Sequence, residues 1–174
     1  IISAGFAAGW ILVLLMAAPA AASSEIADAA MKGDAQAVRA FLQRRVDVNA
    51  PQPDGTTALH WIARADDVDT AELLLRAGAN ASAANREGVT PLQLAAINGS
   101  AAMISRLLKA GANPNAPLTS DDDTALMLAA RTGIPDALKV LLESGAAVDA
   151  KEKWGGTTAL MWAVAEKHAA AAKV

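Results

Sequence analysis

The chain has 174 residues, enough for one domain, with no cysteine and a formal charge of −3. Without a thiol it can form no disulfide, thiolate nucleophile or cysteine metal site. The 15 basic against 18 acidic side chains leave no basic stripe of the kind that a nucleic-acid-binding module presents.

Residues 1–22 carry no charged side chain. Trp10 to Met16 is a compact apolar core, Pro19 breaks it, and Ala20 to Ala22 put small residues ahead of Ser23. That is the layout of a secretory signal peptide cut before Ser23. The basic leader and initiator methionine of such a peptide are missing, so this reading expects the natural chain to start a few residues earlier. An apolar run of about 20 residues can also span a bilayer, so an uncleaved N-terminal membrane anchor is the alternative. On either reading the stretch stands apart from a domain at 23–174.

From residue 24 the chain reads as pairs of short helices. In 24–50, Ile26, Ala29 and Ala30 predict a first helix and Gly33-Asp34 a turn; Val38, Phe41 and Leu42 predict a second helix. Arg45 stands where later units have glycine, and Glu25, Asp28, Lys32, Arg39, Gln43 and Arg44 make this unit polar. The end unit of a repeat array needs a polar outer face, so 24–50 is predicted to be an N-terminal cap. The unit at 51–84 opens with Asp54-Gly55-Thr56-Thr57-Ala58-Leu59-His60. Trp61 is expected to pack between helices, with exposure on a binding face as the alternative. Asp66 and Asp67 replace the usual glycine and open the second helix.

The unit at 85–117 is the clearest. Gly88 marks a turn, and Thr90-Pro91 is a hydroxyl N-cap followed by a proline whose missing N–H costs nothing at the first helical position. Leu92, Ala95 and Ala96 follow at helical spacing, and Gly99 ends that helix. Ile104, Leu107 and Leu108 share one face of a second helix, with Gly111 just past its end. In 118–150, Asp121-Asp122-Asp123 precede Thr124, and Asp122 falls where Gly55, Gly88 and Gly156 stand. Aspartate tolerates the left-handed backbone expected there. The run lacks the alternating oxygen ligands of an EF-hand and has Thr132 at the twelfth place, so it reads as a solvated turn tip open to a basic partner. The last unit, 151–174, shows Trp154-Gly155-Gly156-Thr157-Thr158-Ala159-Leu160, and its second helix is expected near Ala169. The slots equivalent to Leu107 and Leu108 are not reached, so the unit reads as incomplete and the chain as a fragment of a longer protein.

Three markers share one period. Thr57, Thr90, Thr124 and Thr158 follow one another at 33 or 34 residues; Leu74-Leu75, Leu107-Leu108 and Leu141-Leu142 keep the same step, as do Gly78-Ala79, Gly111-Ala112 and Gly145-Ala146. This pattern resembles the ankyrin repeat, whose signature is Thr-Pro-Leu-His-x-Ala-Ala, then a helix ending Leu-Leu, then Gly-Ala-Asp-x-Asn-Ala. The resemblance covers roughly residues 25–174. It implies an all-α solenoid of stacked helix-turn-helix units with projecting β-turn or hairpin loops. It gives His60 a structural role, hydrogen-bonded within and between repeats.

The resemblance also implies a concave partner-binding face made of turn tips and outward positions of the first helices. Mapped onto this sequence, the tips include Asp54, Thr56, Arg86, Glu87, Val89, Asp121, Asp123 and Trp154, and the helix positions include Arg64, Ile97, Asn98 and Arg131. Arginine and tryptophan are common hot-spot residues. No Gly-x-Gly-x-x-Gly, Walker loop, His-Glu-x-x-His or Gly-x-Ser-x-Gly motif occurs, so no catalytic, cofactor or metal site is expected. The formal glycosylation sequons at Asn80 and Asn98 are taken as chance. The expected function is a non-enzymatic scaffold that binds another protein, exported to a periplasm or secreted. The alternatives are a segment that targets or regulates a catalytic domain beyond residue 174, and a membrane-anchored scaffold.

Overall fold

A computed structural model describes residues 24–117 and 122–174. The leader read at 1–22 and Asp121 therefore lie outside the described residues. Helix α1 (Glu25–Met31) pairs with α2 (Ala35–Gln43), and α3 (Ala58–Ala65) with α4 (Val68–Arg76). Likewise α5 (Pro91–Asn98) pairs with α6 (Ala101–Lys109), and α7 (Ala125–Thr132) with α8 (Pro135–Glu143). Helix α9 (Ala159–Ala165) is followed only by a 3-10 turn at Ala171–Lys173. The described residues contain no strand. First helices stack in one row, α1 on α3 on α5 on α7 on α9, and second helices α2, α4, α6 and α8 stack in another. The fold is an all-helical array of two rows.

The local signals explain where the helices start and stop. Thr57, Thr90, Thr124 and Thr158 are all N-caps with extended backbone. The first helices α5 and α7 end at Gly99 (φ 67°) and Gly133 (φ 74°), both left-handed. In the second unit the two aspartates divide the work. Asp66 takes the left-handed position (φ 57°), and Asp67 caps α4 by accepting the Thr70 N–H at 3.0 Å. Asp122 is left-handed as well (φ 59°), as its alignment with the turn glycines requires.

Packing buries Leu74, Leu107 and Leu141 completely, whereas the second leucine of each pair, Leu75, Leu108 and Leu142, is half-buried. Leu108 is thus less of a core residue than its motif suggests. The second helix expected near Ala169 does not form. Lys167 takes the left-handed position (φ 61°), and the alanines that follow supply no large side chain to pin a helix against α8.

Side-chain hydrogen bonds cross the layers behind the second helices. The Asn49 amide donates to the Gly78 carbonyl at 3.0 Å and accepts the Asn80 N–H at 2.8 Å. Asn115 repeats this with Gly145 at 3.0 Å and Ala147 at 2.8 Å. Ser82, between them, donates its hydroxyl to the Gly111 carbonyl at 3.0 Å. These bonds satisfy the carbonyls of the glycines just past the second helices, and they tie one layer to the next.

Candidate interaction surface

The turns before α3, α5 and α9 project as fingers. In the second unit, Gln52 donates its N–H to the Thr56 carbonyl at 2.8 Å. The Asp54 carboxylate accepts both the N–H and the hydroxyl of Thr56 at 2.9 Å. Those bonds hold the Asp54 carboxyl below its ordinary range. They also draw Thr56 inward: it is 7% exposed, not a solvated tip as its place in the motif suggests. In the third unit Asn85 does the same work, accepting the N–H groups of Glu87 and Val89 at 3.0 and 2.9 Å. The Arg86 N–H reaches across to the Asp54 carbonyl at 2.9 Å and joins the two fingers.

The fingers are locked to the helices from below. His60 Nδ1 accepts the Thr57 N–H at 3.1 Å, and Nε2 lies 3.0 Å from the Val89 carbonyl in the next finger. A backbone N–H can only donate and a carbonyl can only accept, so the ring is neutral with its proton on Nε2. Burial, which disfavours the charged ring, keeps its pKa below the ordinary value. Gln93 reproduces the first bond, and with the second it reaches a carbonyl of the next layer at a different place, ahead of the turn. Its Oε1 accepts the Thr90 N–H at 2.8 Å and its Nε2 donates to the Ala116 carbonyl at 3.1 Å. Sequence reading passed over Gln93, although it stands three residues after a capping threonine as His60 does. In the fourth unit the place belongs to Met127, whose sulfur is 3.5 Å from the Thr124 N–H and has no proton to offer the next finger.

The last finger is one residue longer and is held differently. The Glu152 carboxylate accepts the N–H groups of Trp154, Gly155 and Thr157 at 2.6, 2.7 and 3.0 Å. These bonds, led by that from Thr157, bring its carboxyl down to about 2. The turn they close carries Trp154, 77% exposed.

Below the fingers the first helices present a row of side chains at matching places: Arg64 on α3, Ile97 on α5 and Arg131 on α7. All three are exposed, Ile97 by 52%. The residues three places earlier, Trp61, Leu94 and Leu128, and Trp162 on α9, are buried or half-buried and form an apolar floor. The Trp61 ring N–H donates to Gln52 at 2.7 Å, and the Gln52 amide donates to Asp28 at 2.7 Å, so this tryptophan packs with its polar atom satisfied. The Arg131 guanidinium lies 4.8 Å over the Trp162 ring. A hollow between α5, α7 and α9 is lined by Ile97, Leu128, Arg131, Thr132 and Glu166. Asn98, next in the row, has its amide on the Ala63 and Arg64 carbonyls at 3.1 and 2.9 Å, where it closes the end of α3.

On the back of the array Arg76 and Arg106 share Glu72, with the Arg76 pair at 2.9 Å. Among the described residues, neither Arg64 nor Arg131 has a carboxylate at ion-pair distance. Among them too, no three His, Asp or Glu side chains gather to hold a metal ion, and no helix is long and apolar enough to cross a membrane. The described residues therefore supply a face of outward side chains carried on packed helices.

No curated protein matches the chain. The family model described as ankyrin repeats, in three copies, matches it over residues 26–117 and 116–174. With the shared 33- or 34-residue period, the threonine-capped first helices and the two stacked rows, the chain belongs to the ankyrin repeat family.

Proposed function

We propose that this chain is a non-enzymatic scaffold that holds another protein on its concave face and acts outside the cytoplasm. Ankyrin repeats are in general protein-interaction modules, and a stack of layers presents an extended surface. One observation carries the reading: Arg64, Ile97 and Arg131 stand exposed at matching places on three consecutive first helices, over a floor that is already packed. Such a face is preorganised, so binding orders few side chains. The apolar stretch at 1–22 supports export.

A photo-crosslinking residue placed at Ile97, or at the exposed Ala102 on the back of α6, tests the face. The expected result is a covalent adduct with a partner from Ile97 and none from Ala102. Equal yields from the two positions overturn the concave reading. For export, the N-terminus of the exported chain is expected at or near Ser23, and a start that retains the apolar stretch overturns the cleaved leader.

A further inference from the structure

We propose that the concave row takes an extended acidic segment of a partner, with an aliphatic side chain between two carboxylates. The inference rests on the concave-face reading and adds the chemistry of the ligand. On the back, the Glu72 carboxylate pairs with both Arg76 and Arg106. Arg64 and Arg131 are equally fixed on helices, yet no carboxylate of the described residues meets them. Arg131 is held in place by the Trp162 ring at 4.8 Å, and the carbonyl of Arg131 is 3.1 Å from His168 Nε2. A cation so positioned, and not neutralised from within, calls for an anion from outside. Between the two arginines Ile97 stands 52% exposed at the edge of a hollow floored by Leu128. An aliphatic side chain fits there.

The spacing sets the register. One helix, α5, lies between α3 and α7. Neighbouring helices pack about 8–10 Å apart, so Arg64 and Arg131 arise about 16–20 Å apart. An extended chain covers that distance in about five or six residues. The protein's own acids bound the track. Glu166 lines the hollow beyond Arg131, and Asp54, Glu87 and Asp122 sit on the fingers. They turn a negative ligand away from the rim and keep it along the helix row.

The test is a display library of random ten-residue peptides selected against the whole chain at low salt. Enriched sequences are expected to carry two Asp or Glu residues five or six places apart with Leu, Ile or Val between them. Arg64→Glu or Arg131→Glu is expected to weaken each such peptide by about tenfold or more, and changing the facing acid to Lys to restore binding. Circular dichroism checks that the variants keep their helices. Enriched peptides that are basic or uncharged, but are lost with Ile97→Asp, overturn the acidic ligand and leave the concave face standing. Peptides that bind regardless of Ile97→Asp, or no enrichment at all, overturn both.

Discussion

The third layer and the last begin with one motif and end in different surroundings. Thr90 and Thr158 both cap a first helix, and each hydroxyl accepts the N–H three residues on at 3.4 Å. The leucine two residues after the cap is Leu92 in one layer and Leu160 in the other. Leu92 is 1% exposed and Leu160 is 54% exposed. Leu59 and Leu126, in the second and fourth layers, are buried like Leu92. The motif is local and makes the helix. Burial is not local: α5 lies between α3 and α7, whereas the first-row contact of α9 is with α7. In a stack of thin layers each core is completed by the neighbour, so equal sequences do not carry equal energies.

The sharpest way to break this comparison is to truncate one leucine in each layer. Leu107 is completely buried, and Leu107→Ala is expected to cost about 2–5 kcal/mol, the transfer of the side chain plus the cavity left behind. Leu160→Ala is expected to change stability by about 0.5 kcal/mol or less, as at exposed positions. Urea denaturation of both variants measures the difference. Similar costs would show that the last layer is as well packed as the third.

What the sequence made legible follows the same division. Period, caps and terminators are local signals, and they locate the four complete helix pairs from α1 to α8. Asp122 could be placed in a left-handed turn because it aligns with glycines. The site was legible as a row of positions and not as a set of side-chain environments. Nothing local in Thr56 says that the Asp54 carboxylate will turn it inward, or that Asn98 will reach back to close α3. Gln93 was missed because its chemistry looks unlike that of His60. Only the bond to the Ala116 carbonyl, 23 residues away, reveals that this amide, like the imidazole, ties a threonine cap to the next layer.

That equivalence gives a second, smaller test. His60→Ala removes both bonds, leaving the Thr57 N–H unpaired and the Val89 carbonyl with only the Asn85 N–H, at an expected cost of about 1–3 kcal/mol. His60→Gln copies the third layer and is expected to keep most of the stability at pH 7.5. The two differ in pH response from the wild type as well. The folded ring has a pKa below its ordinary value, while an unfolded histidine titrates near about 6.5. The stability held by the neutral ring is complete above about pH 6.5 and is lost as pH falls through that value toward the folded pKa. Melting curves at pH 7.5 and 5.5 are therefore expected to converge in His60→Gln. An unchanged separation in the variant would assign the pH response to other groups.

The smallest global effect is expected at the last finger, where the bonds hold a turn in place and bury little. Glu152 accepts three backbone N–H groups through two oxygens. In Glu152→Gln one oxygen becomes an NH₂ group, which faces the same N–H donors and cannot accept from them. The Trp154 N–H at 2.6 Å from Oε2, or the two donors on Oε1, then lose their acceptor. The melting temperature is expected to move little, while hydrogen exchange at Trp154, Gly155 and Thr157 speeds up by about tenfold. In the wild type the carboxylate is ionised down to about pH 2, below its unfolded range. The stability those bonds contribute is therefore complete above about pH 4.3 and is lost as pH falls toward 2. Unchanged exchange in the variant would mean that the bond from the Glu152 N–H to the Thr157 carbonyl, at 3.1 Å, closes this turn without help from the side chain.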